Sequence, residues 1–185
     1  MTTPHAKQTA EVSLTFIQNA RELINEEYLP KIARCVEKLT DEQVWWRPNE
    51  ESNSIGNLLL HISGNARQWI VCGLGDETDK RERQTEFDER SIIPRGQLLE
   101  RLKSTFADVD NVLSRFGPAR LLGSYKIQGS ETTALAAIFH VTEHISMHTG
   151  QIILLTKMLA NVDLVFYDFS GGKPAHTWHE KTGSS

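Results

Sequence analysis

The sequence predicts an all-α protein built as a four-helix bundle. Apolar residues recur at helical spacing through most of the 185 residues, and segments with strand-like alternation are few. Four long stretches carry this periodicity, joined by short to moderate connections. Four such helices bury their apolar stripes most simply around one core. We therefore predict a single domain over residues 1–185, with the bundle at about 7–159 and a tail at 160–185.

The first predicted helix runs from about Lys7 to Leu39. Its inward stripe consists of Phe16, Ile17, Ala20, Leu23 and Ile24. Pro30 falls inside the pattern, and we expect a kink there because proline lacks an amide donor and clashes with the preceding turn. Thr40 is then expected to cap a short turn, DEQVWW, which ends before Pro48.

A second helix is predicted from Ser54, a plausible N-cap, to Cys72. Its apolar stripe comprises Ile55, Leu58, Leu59, Ile62, Ala66 and Trp69. Polar residues flank that stripe: Ser54, Asn57, His61, Asn65 and Gln68. A polar strip on the edge of a core-facing helix usually marks the boundary with water. Beside a metal ion the same strip would form the wall of a pocket.

The connection after the second helix, Gly73–Ile93, is long and polar, and connections of this length are often functional or mobile. A third helix is predicted over Pro94–Phe116, with proline in its first turn. Gly117–Ser130 reads as a loop or a small irregular hairpin, and a fourth helix follows over Glu131–Leu159. The tail 160–185 is rich in Gly and Ser, so we predict an irregular segment whose aromatic residues dock on the bundle.

Composition excludes several classes of protein. The net charge is −4 and no basic block stands out, which argues against a nucleic-acid partner. No apolar stretch resembles a signal peptide or a membrane span, so we expect a cytoplasmic protein without a membrane partner. Cys35 and Cys72 lie far apart and form no CxxC pair, which suggests neither a disulfide framework nor a thiolate zinc site.

Three histidines carry the strongest functional signal. His144 and His148 are four residues apart, so one helix face presents both imidazoles one turn apart. His61 lies among apolar residues of the second helix. Three neutral imidazoles converging in a bundle would bind a metal ion and leave a coordination position open, as catalytic sites do. The alternative is that each is a structural core histidine, although burying three without partners would cost a few kcal/mol each.

Other polar residues near these histidines are candidates for a supporting role. His140 continues the series on the fourth helix, but three ligands along one straight helix rarely reach one ion. We therefore predict His140, Asn57, Asn65 and Gln151 as pocket residues or as groups that orient the ligands. Glu143 points away from the histidine face, which disfavours a di-iron carboxylate site.

The chain resembles the DinB/YfiT-like superfamily of metalloenzymes. The likeness rests on the WWRP turn at Trp45–Pro48, the segment NSIGNLLLHISGNARQWI and the segment HVTEHISMHTGQI, in that order. The resemblance implies a DinB-like four-helix bundle that binds one divalent ion through His61, His144 and His148. It also implies homodimers, and relatives that include transferases and isomerases using thiols such as mycothiol or bacillithiol. Nothing in the sequence supports a direct DNA role.

The resulting hypothesis is a metal-dependent thiol S-transferase that acts on a small-molecule substrate with a low-molecular-weight thiol. Zn²⁺ is the first expectation for the ion, with Ni, Fe or Mn as alternatives, because imidazole suits several first-row metals. A second hypothesis is a hydrolase that activates a metal-bound water. A third is a non-enzymatic, metal-stabilised stress or interaction protein whose site is plugged by the tail, with His176 or His179 as a fourth ligand.

Overall fold

Four long helical segments form a bundle around one apolar core, which confirms the predicted fold class. The computed structural model describes residues 4–75 and 77–178. The innermost side chains come from all four segments and are fully buried: Ile32, Ile62, Leu102, Phe106 and Ile138. None of the helices in these described residues is long and apolar enough to cross a membrane.

The first segment contains a change of helix type just before its proline. It consists of α1 (Pro4–Glu22), a π-helical stretch (Leu23–Tyr28) and α2 (Leu29–Glu37). The amide of Leu29 donates to the carbonyl of Ile24, five residues earlier. Pro30 has no amide hydrogen, so it cannot donate the next backbone hydrogen bond of the helix. The wider turn of the π-helix leaves room for the proline ring. The predicted irregularity is therefore present, spread over the six residues that precede α2.

The WWRP turn follows a short helix, α3 (Asp41–Trp45), which Thr40 caps as predicted. The Trp45 indole N–H donates to the carbonyl of Ile93 at 2.9 Å, which ties this turn to the distant connection. A Cβ on Gly56 would lie 2.7 Å from the same indole, so the glycine allows the ring to pack flat against the next helix. The turn thereby fixes the start of that helix.

The second segment carries His61 and begins at the predicted cap. The Ser54 hydroxyl accepts from the Asn57 amide, and the Asn57 side chain accepts from the Ser54 amide, which makes a capping box. The helix α4 (Ile55–Ala66) continues directly into a π-helical stretch (Arg67–Cys72). The predicted span from Ser54 to Cys72 is thus helical throughout, with a wider final turn.

The connection predicted as irregular contains a helix, α5 (Arg83–Asp88), and there the expectation was incomplete. Six residues are too few to show a helical period in sequence. The third long helix, α6 (Arg95–Ser114), follows as predicted.

The segment before the last helix is a hairpin, the second of the two predicted alternatives. The strands β1 (Ser124–Ile127) and β2 (Ser130–Thr133) pair antiparallel. Gln128 and Gly129 make the turn with positive φ values of 53° and 80°. Since β2 occupies residues predicted as helix, the last helix α7 (Ala134–Ala160) starts three residues later than expected.

The tail is more regular than predicted, because β3 (Tyr167–Asp168) pairs with β4 (Ala175–His176). Its aromatic residues dock on the bundle as expected: the Trp178 indole donates to the carbonyl of Glu26 at 3.0 Å. Residues 179–185 lie outside the described part of the chain.

Candidate metal centre

The three predicted histidines converge between α4 and α7. The Nε2 atom of His144 lies 3.0 Å from that of His61 and 3.2 Å from that of His148. All three residues are buried, with 5 to 8 % of their surface exposed. The structure therefore brings together the residues that the sequence singled out, as a cluster that can hold a metal ion.

Glu86 of α5 determines which nitrogen of His61 is protonated. Its Oε2 lies 2.9 Å from His61 Nδ1. Burial would raise the pKa of Glu86, but hydrogen bonds from Arg81 and His61 outweigh it and hold the pKa below its usual value. Arg81 Nη2 also lies 3.1 Å from this Nδ1, but it donates to the nearer Glu86 Oε2 at 2.8 Å. Because an ionised carboxylate only accepts, His61 donates its Nδ1–H to Glu86 and presents an Nε2 lone pair to the cluster. Phe87 packs on the same imidazole, with ring centroids 4.6 Å apart.

Arg81 and Gly64 hold the Glu86 carboxylate in place. Arg81 donates through Nε to Oε1 at 2.7 Å and through Nη2 to Oε2 at 2.8 Å. Both side chains of this bidentate pair are buried. A Cβ on Gly64 would lie only 1.9 Å from Glu86 Oε1, so the absence of a side chain there makes room for the carboxylate.

Gln151 contacts Nδ1 of His148 in the same way that Glu86 contacts Nδ1 of His61. Gln151 Oε1 accepts from His148 Nδ1 at 2.7 Å, one turn along α7. His148 therefore also presents an Nε2 lone pair to His144. Gln151 was predicted as a pocket residue or a group that orients a ligand, and in the structure it contacts Nδ1 of His148.

His144 lies between two lone pairs. Burial, together with His148 and His61, lowers the pKa of His144 to about 3, so the ring is neutral at pH 7. If His144 carries a proton on Nε2, that single N–H can donate a good hydrogen bond to only one of the two neighbouring Nε2 atoms. A metal cation, in contrast, accepts lone pairs from all three rings. The chemistry of this donor set therefore fits a divalent metal ion.

Asn57 lies outside the cluster and supports it through the backbone. Its Nδ2 donates to the carbonyl of Glu86 at 2.8 Å. Its Oδ1 accepts from Arg47 of the WWRP turn at 2.6 Å. Asn57 therefore fixes α5 on α4 and contacts the histidine cluster only indirectly, through Glu86.

Asn65 and His140 lie on the other flank of His144. Asn65 Nδ2 is 3.4 Å from His140 Nε2, and the His140 ring centroid is 4.3 Å from that of Trp69. Three buried polar atoms in this group have no hydrogen-bond partner: Asn65 Oδ1, Trp69 Nε1 and His144 Nδ1. Polar atoms buried without partners are costly, so this flank is suited to receive a polar group of a ligand or a water.

The tail does not plug the histidine cluster through His176. Its imidazole pairs with Glu27 of the π-helical stretch at 2.6 Å, away from the three histidines. The other histidine proposed for that role, His179, lies outside the described residues.

A cleft of about 630 Å³ opens beside the cluster, on the Glu86 side of His61. Gly64, Gln68, Arg81 and Glu86 contribute to its wall. This cleft therefore adjoins the Arg81–Glu86 pair, and none of the three histidines lines it. Because metal binding depends on converging lone pairs, the candidate metal centre lies at the three Nε2 atoms and not in this cleft.

Glu86 and Arg81 were missed by the sequence analysis. They belong to KRERQTEFDER, where charged residues dominate and a buried carboxylate looks like any exposed one. The available signal was the apolar Phe87 in a charged run, three residues after Gln84 and beside Glu86. It indicates that one side of this segment faces the protein.

Stability of the metal-free protein is expected to fall as the pH drops below about 6.5, the usual pKa of an unfolded histidine. Between that value and about 3, the unfolded chain binds a proton at residue 144 that the folded chain does not. Burial also lowers the pKa of His148, so this residue adds to the loss of stability at low pH. His144 alone would account for about 2 kcal/mol between pH 7 and pH 5.

Urea unfolding in EDTA at pH 7 and pH 5 measures this loss, and His144→Gln should reduce it by about 2 kcal/mol. Equal stability of the wild-type protein at both pH values would contradict a buried, neutral cluster.

Comparison with known proteins adds a family and a fold. The model of a family described as a protein of unknown function, DUF1572, matches residues 11–170. A conserved protein from Enterococcus faecalis is similar in structure, with a TM-score of 0.60 and 15% identity over 83% of this chain and 98% of the other. A DinB-like protein from Bacillus cereus ATCC 10987 has a TM-score of 0.58 and 16% identity, over 74% and 88%. No curated protein matches the sequence.

Proposed function

The chain belongs to the DUF1572 family of DinB-like proteins, and on that premise we propose that it binds one divalent metal ion through the Nε2 atoms of His61, His144 and His148. One observation carries the proposal. Glu86 and Gln151 accept the Nδ1 protons of the two outer histidines, so their lone pairs converge on the third ring. A carboxylate or amide behind a ligating histidine is typical of metal sites.

The proposed ion is Zn²⁺, which suits three neutral imidazoles, with Ni, Fe or Mn as alternatives. Within the described residues the cluster comprises these three ligands only, so a coordination position is left for a substrate atom. An open position is the feature that separates catalytic from structural zinc sites.

For the activity, we propose that a low-molecular-weight thiol loses its proton and that its sulfur forms a bond to an electrophilic carbon of a small substrate. The bond from that carbon to a leaving group breaks, and the leaving group departs with the electron pair. A bound divalent ion supplies the acidity that deprotonates a coordinated thiol at neutral pH.

Burial keeps His144 and His148 neutral, while Glu86 and Gln151 orient the rings of His61 and His148. The unpartnered atoms of Asn65 and Trp69 are available for hydrogen bonds to a polar part of the substrate. Burial of the cluster limits competing water.

Cobalt-substituted protein tests this proposal directly. We expect Co²⁺ to bind at one equivalent and its visible spectrum to gain a sulfur-to-cobalt charge-transfer band when cysteine or glutathione is added as a probe thiol. An added alkylating electrophile should then be consumed faster than with thiol alone. The His148→Ala variant serves as the unloaded control.

Two outcomes would overturn parts of this function. A Co²⁺ spectrum that no thiol changes, with ester hydrolysis instead, would replace thiol transfer by hydrolysis. A loaded protein that binds neither thiol nor ester would point to a metal-stabilised interaction protein.

A further inference from the structure

Within the described residues, buried polar side-chain atoms without a hydrogen-bond partner are confined to one flank of the histidine cluster. They are Asn65 Oδ1, Trp69 Nε1 and His144 Nδ1. Native proteins pair nearly all of their buried polar atoms, so three such atoms in one place indicate a site for a polar group. We propose that this flank, the amide subsite, binds a neutral amide of the ligand that occupies the open metal position. It rests on the proposed function, because the ion anchors that ligand, and it names the chemical group that the site selects.

The amide subsite lies one helical turn from the histidine cluster. His61 Nε2 lies 3.0 Å from His144 Nε2. Four residues later on α4, Asn65 Nδ2 lies 3.4 Å from His140 Nε2, which is four residues earlier on α7. The two helices therefore run antiparallel here, and both continue to the same side of the cluster. Four residues of helix span about 6 Å, which is the reach of a short ligand chain that starts at the ion.

The three unpartnered atoms comprise two donors and one acceptor. The Trp69 indole nitrogen only donates. A histidine that binds a metal ion through Nε2 carries its proton on Nδ1, so His144 donates as well. Asn65 directs its Nδ2 towards His140, which leaves its Oδ1 as an acceptor. One amide satisfies all three atoms, because its carbonyl oxygen accepts two hydrogen bonds while its N–H donates one.

A carboxylate or a phosphate does not fit the amide subsite. Because an oxygen anion only accepts, it would leave Asn65 Oδ1 unpaired. The arginine that acts on His140, Arg81, is already held in a buried ion pair with Glu86. Glu143 adds a negative charge close to His140. The electrostatics therefore favour a neutral group over an anionic one.

Burial makes the amide subsite selective. Asn65 and His144 are only 4 and 8 % exposed. Trp69 and His140, whose ring centroids lie 4.3 Å apart, are partly exposed and border solvent. A hydrogen bond in such a water-poor site is stronger than one in water, and a polar group left unpaired there is more costly. Ligands that differ in a single donor should therefore differ clearly in affinity.

Three matched thiols measure this preference in Co²⁺-loaded protein. The thiol 3-mercaptopropanamide carries the amide, 4-mercaptobutan-2-one replaces its NH₂ by a methyl group, and 3-mercaptopropanoate replaces the amide by an anion. The sulfur-to-cobalt band reports the binding of each thiol. We expect the amide to bind about tenfold or more tightly than the ketone, because only the amide donates to Asn65 Oδ1. The carboxylate should bind more weakly than the amide as well.

Substitutions in the amide subsite assign this preference to its residues. Asn65→Leu keeps the size of the side chain and removes the acceptor, so it should reduce the preference for amide over ketone to about threefold or less. Trp69→Phe should weaken the amide and the ketone alike, by about three- to tenfold, because both use a carbonyl oxygen. Trp46→Phe is the matched control, since Trp46 is 39 % exposed and outside the subsite. It should change none of the affinities, and all three variants should keep one equivalent of cobalt.

The indole N–H of Trp69 gives a direct measurement by nuclear magnetic resonance of Zn²⁺-loaded protein. The four tryptophans give four indole signals, and the signal missing from Trp69→Phe belongs to Trp69. Saturation with 3-mercaptopropanamide should shift that signal downfield by more than the other three. Thiols that bind with equal affinity whatever their polar group, and leave this signal in place, would overturn the amide subsite and leave thiol binding intact. A water molecule on this flank would give that result.

An amine-anchored amide separates the subsite from the proposed thiol chemistry. The probe 3-aminopropanamide binds cobalt through nitrogen, and its affinity is compared between wild type and Asn65→Leu. If no thiol changes the cobalt spectrum but Asn65→Leu weakens this probe about tenfold, the proposed thiol transfer fails and the amide subsite stands. Equal binding of the probe to both proteins would refute the subsite.

Discussion

Replacing His144 by alanine is expected to abolish metal binding. Its Nε2 lies within 3.2 Å of the Nε2 atoms of both other histidines, so the substitution removes the central one of the three proposed ligands. Two imidazoles bind a divalent ion far more weakly than three, and we expect affinity to fall by about 1,000-fold or more. Elemental analysis of dialysed protein should find one equivalent in the wild type and none in the variant.

The wild-type protein and His144→Ala should also differ in how much metal raises their thermal stability. A ligand at about 1,000 times its Kd stabilises the folded state by about 4 kcal/mol. Zn²⁺ should therefore raise the Tm of the wild-type protein and leave that of His144→Ala unchanged. Circular dichroism of the variant establishes that it still folds.

His140→Ala is the matched control, because it removes a histidine one turn away on the same helix that lies outside the cluster. It should keep one equivalent of metal and the stabilisation by Zn²⁺. Wild-type protein that takes up no metal after reconstitution with zinc, nickel, iron or manganese would refute the metal site. The three histidines would then be structural.

The long helices and the histidine cluster could be predicted because both depend on local periodicity. Apolar spacing places His61 on the buried part of α4, and the interval of four residues places His144 and His148 on one face of α7. The Ser54 cap follows from side-chain chemistry in the same way. These features need only the sequence within one element.

The partners behind the histidines could not be predicted, because they depend on contacts between elements. Three contacts allow Glu86 to be buried: Arg81 pairs with its carboxylate, the Asn57 side chain donates to its backbone carbonyl, and Gly64 leaves room for the carboxylate. No local pattern distinguishes such a glutamate from an exposed one. The short β3–β4 pairing likewise arises from contacts between segments, which override weak local preferences.

Gly64→Ala should destabilise the protein and weaken its metal site, although alanine is the better helix former. Propensity alone would favour alanine by about 0.5–1 kcal/mol inside a helix. Against this, the added Cβ would lie 1.9 Å from Glu86 Oε1. The carboxylate can swing away, so the cost is loss of its buried contacts to Arg81 and His61. We expect a net destabilisation of about 1–3 kcal/mol and metal affinity lowered about 10- to 100-fold.

Gly96→Ala provides the matched control, since Gly96 lies in the first turn of α6 and a Cβ there meets no atom within 4 Å. It should be neutral or stabilising by up to about 1 kcal/mol. Urea unfolding of metal-free protein and Zn²⁺ titration measure both effects. If Gly64→Ala behaves like Gly96→Ala in both, the carboxylate does not occupy the space beside Gly64.

A double-mutant cycle with Glu86→Ala separates the steric effect from any other effect of the new methyl group. Glu86→Ala removes the group that the methyl displaces, so Gly64→Ala added to it should cost little and recover the gain in helix propensity. The two substitutions should therefore be strongly non-additive, by about 1–3 kcal/mol in unfolding free energy. Additive effects would mean that Gly64 acts elsewhere. Non-additivity in metal affinity as well would place Gly64, Glu86 and His61 in one chain of contacts that ends at the ion.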